Sequence, residues 1–152
     1  MKAVIQRVSR ASVTVDGKLV SQIKKGYMIL LGVMDDDTLE DAEILAKKTS
    51  TLRVFEDDEG KMNLDIKQVD GEILAISQFT LCADVKKGNR PSFIRSAPPV
   101  EANELYEYFC EQLLANGVKN VYKGVFGADM KVDLLNDGPV TILYDSEMWR
   151  KR

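Results

Sequence analysis

The sequence predicts a single α+β domain of residues 1–152, with layered, mostly antiparallel β-sheets forming a barrel-like core and two principal helices packed on one side. Three observations predict it. Short apolar or alternating runs recur along the chain, each bounded by a glycine or aspartate turn. Two segments carry apolar residues at helical spacing instead. No repeat, low-complexity stretch or composition break marks a linker, and 152 residues suffice to bury one core.

In chain order, Val13 and Val15 alternate with Ser12 and Thr14 before Asp16-Gly17, a strong hairpin signal, and Leu19 to Ile23 can return antiparallel. Lys24-Lys25-Gly26 makes a second turn. Tyr27 to Val33 is almost continuously apolar, which suits a strand buried on both faces. Thr38 can cap a helix whose Leu39, Ala42, Leu45, Ala46 and Thr49 share one side. Leu52 to Phe55 reads as a strand and Asp57-Asp58-Glu59-Gly60 as a turn. Asp70-Gly71 then leads into the strand Ile73 to Ile76.

Cys82 to Pro99 is loop-like, and long loops in compact domains are commonly functional. Glu101 to Asn116 follows as an amphipathic helix with Leu105, Tyr108, Phe109, Gln112 and Leu113 on one side and Gly117 just past its end. Val118 to Val125, Met130 to Leu135 and Val140 to Tyr144 are expected as late strands, with Asn136-Asp137-Gly138-Pro139 turning between the last two.

Composition excludes several functional classes. The 45% hydrophobic and 30% charged residues are those of a globular protein, and no apolar run approaches the roughly 20 residues of a membrane helix. A charge inside the first apolar segment argues against a secretory signal, and two cysteines without such a signal favour a reduced, cytoplasmic setting. A net charge of -3 opposes bulk electrostatic coating of nucleic acid. It leaves room for local basic surface at Lys86, Lys87, Arg90 and Arg95, and at Arg150-Lys151-Arg152 behind Trp149. Taken alone, such clusters are ordinary solvated charge.

The chain contains no histidine. Ser-His-Asp and Cys-His catalysis are therefore impossible, the common zinc sites lose their main ligand, and no glycine-rich phosphate loop is present. What remains is Ser77-Gln78-Phe79-Thr80-Leu81 at the end of the strand Ile73 to Ile76. It offers two hydroxyls, an amide side chain and the backbone N–H groups left unpaired where a strand stops. Such a site can hold an oxyanion and orient water but has no strong base, so it suits a bond that is already activated. By itself the motif is also an unremarkable strand end, and Asn-Asp-Gly-Pro an ordinary turn.

Read together, Ser77-Gln78-Phe79-Thr80-Leu81 and Asn136-Asp137-Gly138-Pro139-Val140-Thr141 resemble the two signatures of the D-aminoacyl-tRNA deacylases. The likeness extends along nearly the whole chain through Ile5-Gln6-Arg7-Val8, Gly60-Lys61-Met62-Asn63-Leu64, Arg90-Pro91-Ser92-Phe93 and Phe126-Gly127-Ala128-Asp129-Met130. It implies hydrolysis of the ester between a D-amino acid and the terminal ribose of tRNA, without metal or cofactor. It also implies a homodimer whose active sites lie at the subunit interface, with an aminoacyl-tRNA as substrate and neither DNA nor membrane as partner.

The resemblance assigns Ser77, Gln78, Phe79 and Thr80 to the ester and adenosine, with amides near Phe79 and Thr80 as oxyanion donors. Phe126 and Met130 are expected to line the adenine pocket. Arg7 is placed on the substrate-binding side, bracing the loop that carries Gly138 and Pro139. That pair, with its peptide bond cis, is expected to enter the partner's site, receive the substrate ammonium on backbone carbonyls and exclude an L side chain. Lys86, Lys87 and Arg90 become tRNA-backbone contacts, which raised salt would weaken. Thr80 is open to two readings, nucleophile or positioning group, and positioning is favoured because no base stands beside it. Two rivals share the fold: an RNA-binding module without catalysis, stacking bases on Phe93 and Tyr122, and a hydrolase of another activated ester.

Overall fold

The computed structural model describes residues 1–150 and is organised around one long strand, β1, Lys2–Val15. Its far half pairs antiparallel with β2, Lys18–Ile23, across a turn in which Asp16 and Gly17 both take positive φ. Its near half pairs antiparallel with β3, Gly26–Gly32. The chain then enters helix α1, Leu39–Thr51, where the Asp41 carboxylate accepts the Thr38 amide at 2.8 Å, as a residue in the first helical turn should.

A small antiparallel hairpin follows, β4 Phe55–Glu56 with β5 Met62–Leu64. Its turn is tied by Asp57, whose carboxylate accepts the amides of Glu59 and Lys61 and the side chain of Asn63. Strand β6, Glu72–Ser77, lies parallel to β3, and helix α2, Pro99–Ala115, connects it to β7, Val121–Lys123, parallel to β6. Last comes β8, Lys131–Asp145, antiparallel to β1 along most of its length.

The strand order β2-β1-β3-β6-β7 curls so that its ends meet, and the Ser21 hydroxyl of β2 donates to the Lys123 carbonyl of β7 at 2.6 Å. This nearly closes the expected barrel. Alternation splits the apolar residues into two cores. Tyr27, Ile29, Leu31, Ile73 and Ala75 face the helices, meeting Leu45 of α1 and Phe109 and Leu113 of α2. Met28, Leu74 and Ile76 face inward with Val8, Val13 and Ile23. Both helices pack on one side, as the sequence predicts. The sheet is mixed, because each helix serves as a crossover and returns the chain parallel.

Three expectations change. The strand read at Leu52 to Phe55 is confined to Phe55–Glu56, since Leu52 and the carbonyl of Val54 serve as a helix end and a side-chain acceptor. The strand at Val118 to Val125 shortens to Val121–Lys123. Asn136 to Pro139 does not reverse the chain, and the two strands read around it are one. Between the pairs Gln6–Thr141 and Val8–Asn136, the single residue Arg7 faces four residues, Asp137 to Val140. The turn-forming residues therefore bulge out of a strand whose partner β1 continues straight on either side.

Candidate active site

Strand β6 ends at Ser77 because β3 ends opposite it, the last pair in the ladder being Leu31–Ser77. The Gln78 amide still reaches the Leu31 carbonyl at 2.8 Å, and the chain then winds into a 3₁₀ turn, Phe79–Cys82. That turn is closed by Leu81 N–H donating to Gln78 O and Ala83 N–H to Thr80 O, both at 3.2 Å. The amides of Phe79 and Thr80 open the turn and have no acceptor within it. The Gln78 side-chain amide donates to the Thr80 hydroxyl, so the two polar groups are fixed to each other.

Gly32 makes this approach possible. A β-carbon there would stand 2.8 Å from Leu81 Cβ and 3.2 Å from Gln78 O. Behind the turn, Cys82 is buried and its thiol contacts the Val33 carbonyl at 3.3 Å. Burial pushes that thiol above its ordinary range. Cys110 is also buried and unbridged, its thiol pushed up to about 12 by burial, so neither cysteine is a ready nucleophile.

In front of the turn opens a cavity of about 680 Å³, a size suited to a nucleoside. Ser77, Gln78 and Phe79 form one wall, and Phe126 and Met130 another. Phe79 is 55% exposed and meets Phe93 edge to face at 5.0 Å, which leaves an aromatic ring at the cavity mouth. Phe126 is backed by Tyr106 at 6.4 Å, and the Tyr106 hydroxyl donates to the Ala75 carbonyl of β6 at 2.6 Å. Burial raises that phenol, so it stays protonated and holds its ring in place.

The sequence reading thus brings Ser77, Gln78, Phe79, Phe126 and Met130 to one cavity. Thr80 sits just outside its wall, exposed and bound to Gln78. Lys86, Lys87 and Arg90 lie in an exposed hairpin loop pinned by the Asp84–Ser92 bridge, beyond the cavity wall. Lys151 and Arg152 fall outside the described residues. Sequence reasoning did not select Phe93 as a cavity residue, nor Ala97, Pro98, Pro99 and Asp129. The two adjacent prolines were the available signal, because a stiff segment bounding a long loop is suited to forming a wall.

Arg7 is not on this wall. It is 7% exposed, and its guanidinium donates to Val54 O at 2.6 Å and to Asp137 O at 2.9 Å. Both acceptors are backbone carbonyls, so Arg7 acts as a brace. Above it the bulge is closed by its own motif: the Asn136 side chain accepts the Val140 amide at 2.8 Å and donates to the Thr141 hydroxyl at 3.0 Å. The Gly138–Pro139 bond is cis. Both residues are exposed on β8, and neither lines the cavity of its own chain.

A nearly closed barrel with crossover helices on one side, a strand-end motif of hydroxyls and unpaired amides, and a nucleoside-sized aromatic cavity together form the candidate site of a chain that has no histidine. Residues 4–145 match the family described as D-Tyr-tRNA(Tyr) deacylase. The D-aminoacyl-tRNA deacylase of Phocaeicola vulgatus is 57% identical over 147 residues, covering 97% of this chain and 98% of that one. The D-aminoacyl-tRNA deacylase of Flavobacterium psychrophilum is 54% identical over the same length and coverage.

A solved structure titled c-Myc DNA Unwinding Element Binding Protein superposes with a TM-score of 0.90 at 45% identity, covering 95% of this chain and 98% of that one. A probable eukaryotic D-amino acid tRNA deacylase, at 18% identity and a TM-score of 0.80 over 94% of this chain and 97% of that one, shares the fold. The chain belongs to the D-aminoacyl-tRNA deacylase family, hydrolases of the aminoacyl ester of tRNA. No helix among the described residues is long and apolar enough to cross a membrane.

Proposed function

We propose that this chain hydrolyses D-aminoacyl-tRNA as a homodimer, each cavity holding the terminal adenosine and ester while Gly138 and Pro139 of the second subunit screen the amino acid. The observation that carries this reading is the separation of the two motifs. Ser77 to Phe79 border a cavity, whereas the Gly138–Pro139 bulge stands exposed on another strand and outside that cavity. A second copy would bring them together. The outer strand β8 favours such pairing, since it is paired only with β1 among the described residues and exposes Leu135 and Leu143 at 50% and 70%.

The chemistry follows from what the site has and lacks. The ester has a good leaving group and a neighbouring ribose hydroxyl, so the substrate brings part of its own catalyst. The protein then needs to hold the ester and stabilise negative charge on the carbonyl oxygen. In this reading the amides of Phe79 and Thr80, which have no acceptor within the turn, serve as those donors. Adenine lies between the Phe126–Met130 wall and the turn, and Lys86, Lys87 and Arg90 meet the tRNA backbone beyond the mouth.

Selection by exclusion requires no reading of the D side chain. The purified protein should therefore cleave D-tyrosyl-tRNA and glycyl-tRNA and spare L-tyrosyl-tRNA, measured as release of labelled amino acid. Equal cleavage of the D and L esters would refute the screening role. Binding of tRNA without cleavage would instead leave an RNA-binding module.

Thr80 is a positioning group in this mechanism. Its hydroxyl accepts from the Gln78 side-chain amide, and the sequence holds no histidine to deprotonate it. Thr80→Ala should retain turnover within about tenfold of the parent, since only one oriented hydrogen bond is lost. A loss of all turnover with tRNA binding intact would make Thr80 the nucleophile.

A further inference from the structure

We propose that Arg150 is a positioning residue for the deacylase cavity, acting on the wall at Val33, Ser96 and Ala97 through the aspartates between β3 and α1 and through Arg95. Its guanidinium is spread over three carboxylates: Nε to Asp41 at 2.9 Å, Nη1 to Asp36 at 2.9 Å and Nη2 to Asp37 at 2.7 Å. Asp37 and Asp41 have side chains 0% and 6% exposed. Asp36 is half exposed and is shared with Arg95, whose Nη2 lies 3.6 Å from it. Arg95 in turn donates from Nε to Asp35 at 3.0 Å.

These ion pairs lie directly behind the cavity wall. The Asp35 amide donates to the Arg95 carbonyl at 2.8 Å, Met34 bridges Ser96, and the Ala97 amide donates to the Val33 carbonyl at 3.0 Å. Val33, Ser96 and Ala97 all line the cavity. The wall is thus a short backbone ladder whose outer end is tied by two arginines and the Met1 ammonium across four aspartates.

Single surface ion pairs contribute little, but this one joins two buried carboxylates and a planar donor that can satisfy several acceptors at once. For Asp41, hydrogen bonds from Ser146, Thr38 and Arg150 outweigh the opposing effect of burial and hold the carboxyl at about 2. Asp37 also accepts the Met1 ammonium and the Met34 amide, so loss of Arg150 would leave that carboxylate paired but cut its link to Asp36 and Asp41, and the root of the ladder would loosen. The ladder would then open at Arg95 to Ala97, while the 3₁₀ turn kept its bonds to Leu31 and Val33 on the other side. The expected defect is in holding the adenosine, with little change in the chemical step.

The inference rests on the deacylase reading for its kinetic test and on the geometry alone for its second test. In the full chain, Arg150→Met should raise KM for D-tyrosyl-tRNA about tenfold and leave kcat within about twofold, the signature of lost uniform binding. Arg150→Lys should not rescue it, because one ammonium cannot span three carboxylates. Amide hydrogen exchange should quicken at Asp35 and Ala97 about tenfold, with Ile29 in the core unchanged.

Exchange that quickens evenly across the chain, or an unchanged KM with a loosened ladder, would overturn the proposal. Should Arg150→Met fail to fold, Asp36→Asn separates Arg150 from Arg95 at an exposed position. Unchanged exchange at Ala97 in that variant would overturn the proposal equally. An inactive wild-type chain would defeat the deacylase reading itself, and the exchange measurement would then decide the clasp.

Discussion

Gly138→Ala is expected to lower kcat/KM for D-aminoacyl-tRNA about a hundredfold while the chain still folds, because displacing a substrate-positioning segment by about 1 Å commonly costs that much. The reason is local crowding. A β-carbon at Gly138 would stand 2.7 Å from Val140 Cγ2, 3.0 Å from the Val140 amide nitrogen and 3.1 Å from Arg7 Nη2. Its φ of 140° is also one that side chains rarely adopt. The Val140 backbone and the Arg7 side chain cannot easily yield. The Val140 amide is held by Asn136, and Arg7 is buried between Val54 and Asp137.

The bulge must therefore shift outward, in the one segment proposed to reach the partner's ester. Backbone strain of this kind costs about 1–3 kcal/mol, and a chain of this size then loses only several degrees of Tm. Deacylation of D-tyrosyl-tRNA, followed beside thermal melting, tests the separation. Turnover equal to the parent's would show that Gly138 has no part in the reaction.

How far this site could be read from sequence depended on whether the feature was local. The hairpin at Asp16-Gly17, the buried strand from Tyr27 and the capped helix after Thr38 each follow from residues a few positions apart, and each stands where expected. The strand end at Ser77 was legible for the same reason: an apolar run stops where polar chemistry begins.

Asn136 to Pro139 was misread as a reversal because its outcome is set by β1, more than a hundred residues away in the chain. Turn chemistry predicts local bending, and a straight partner strand converts that bending into a bulge. Arg7 shows a similar limit. The family resemblance indicates a brace for the Gly138–Pro139 loop, but its acceptors, the carbonyls of Val54 and Asp137, and its place off the cavity wall emerge only in the fold. The wall at Ala97 to Pro99 stayed hidden because a loop's role depends on what it packs against. The parallel strands were not foreseen either, since nothing in β6 or β7 alone records that a helix crosses between them.

Gly32 carries the other large effect, which follows from its packing and from the oxyanion role proposed for the turn behind it. Gly32→Ala is expected to reduce kcat about a hundredfold with KM little changed, since the donors it would displace act on charge that develops in the transition state. The added β-carbon would lie 2.8 Å from Leu81 Cβ, 3.2 Å from Gln78 O and 3.3 Å from Cys82 Sγ. Leu81 Cβ sits directly on the backbone, so no rotamer change can relieve the contact, and Cys82 is buried behind it.

Gly32 itself is held by the β1–β3 ladder, opposite Lys2. The 3₁₀ turn is the weaker partner, fixed mainly by Gln78 N–H to Leu31 O, and so it is the turn that moves. Its retreat would carry the amides of Phe79 and Thr80 away from the ester position proposed for them, while Phe126 and Met130, on the other wall, would keep the proposed adenine site. Overpacking of this kind costs about 1–3 kcal/mol, which the fold can absorb. Steady-state kinetics on D-tyrosyl-tRNA decide the matter. A raised KM with kcat preserved would place the amides of the turn outside the reaction and leave its role as adenosine binding alone.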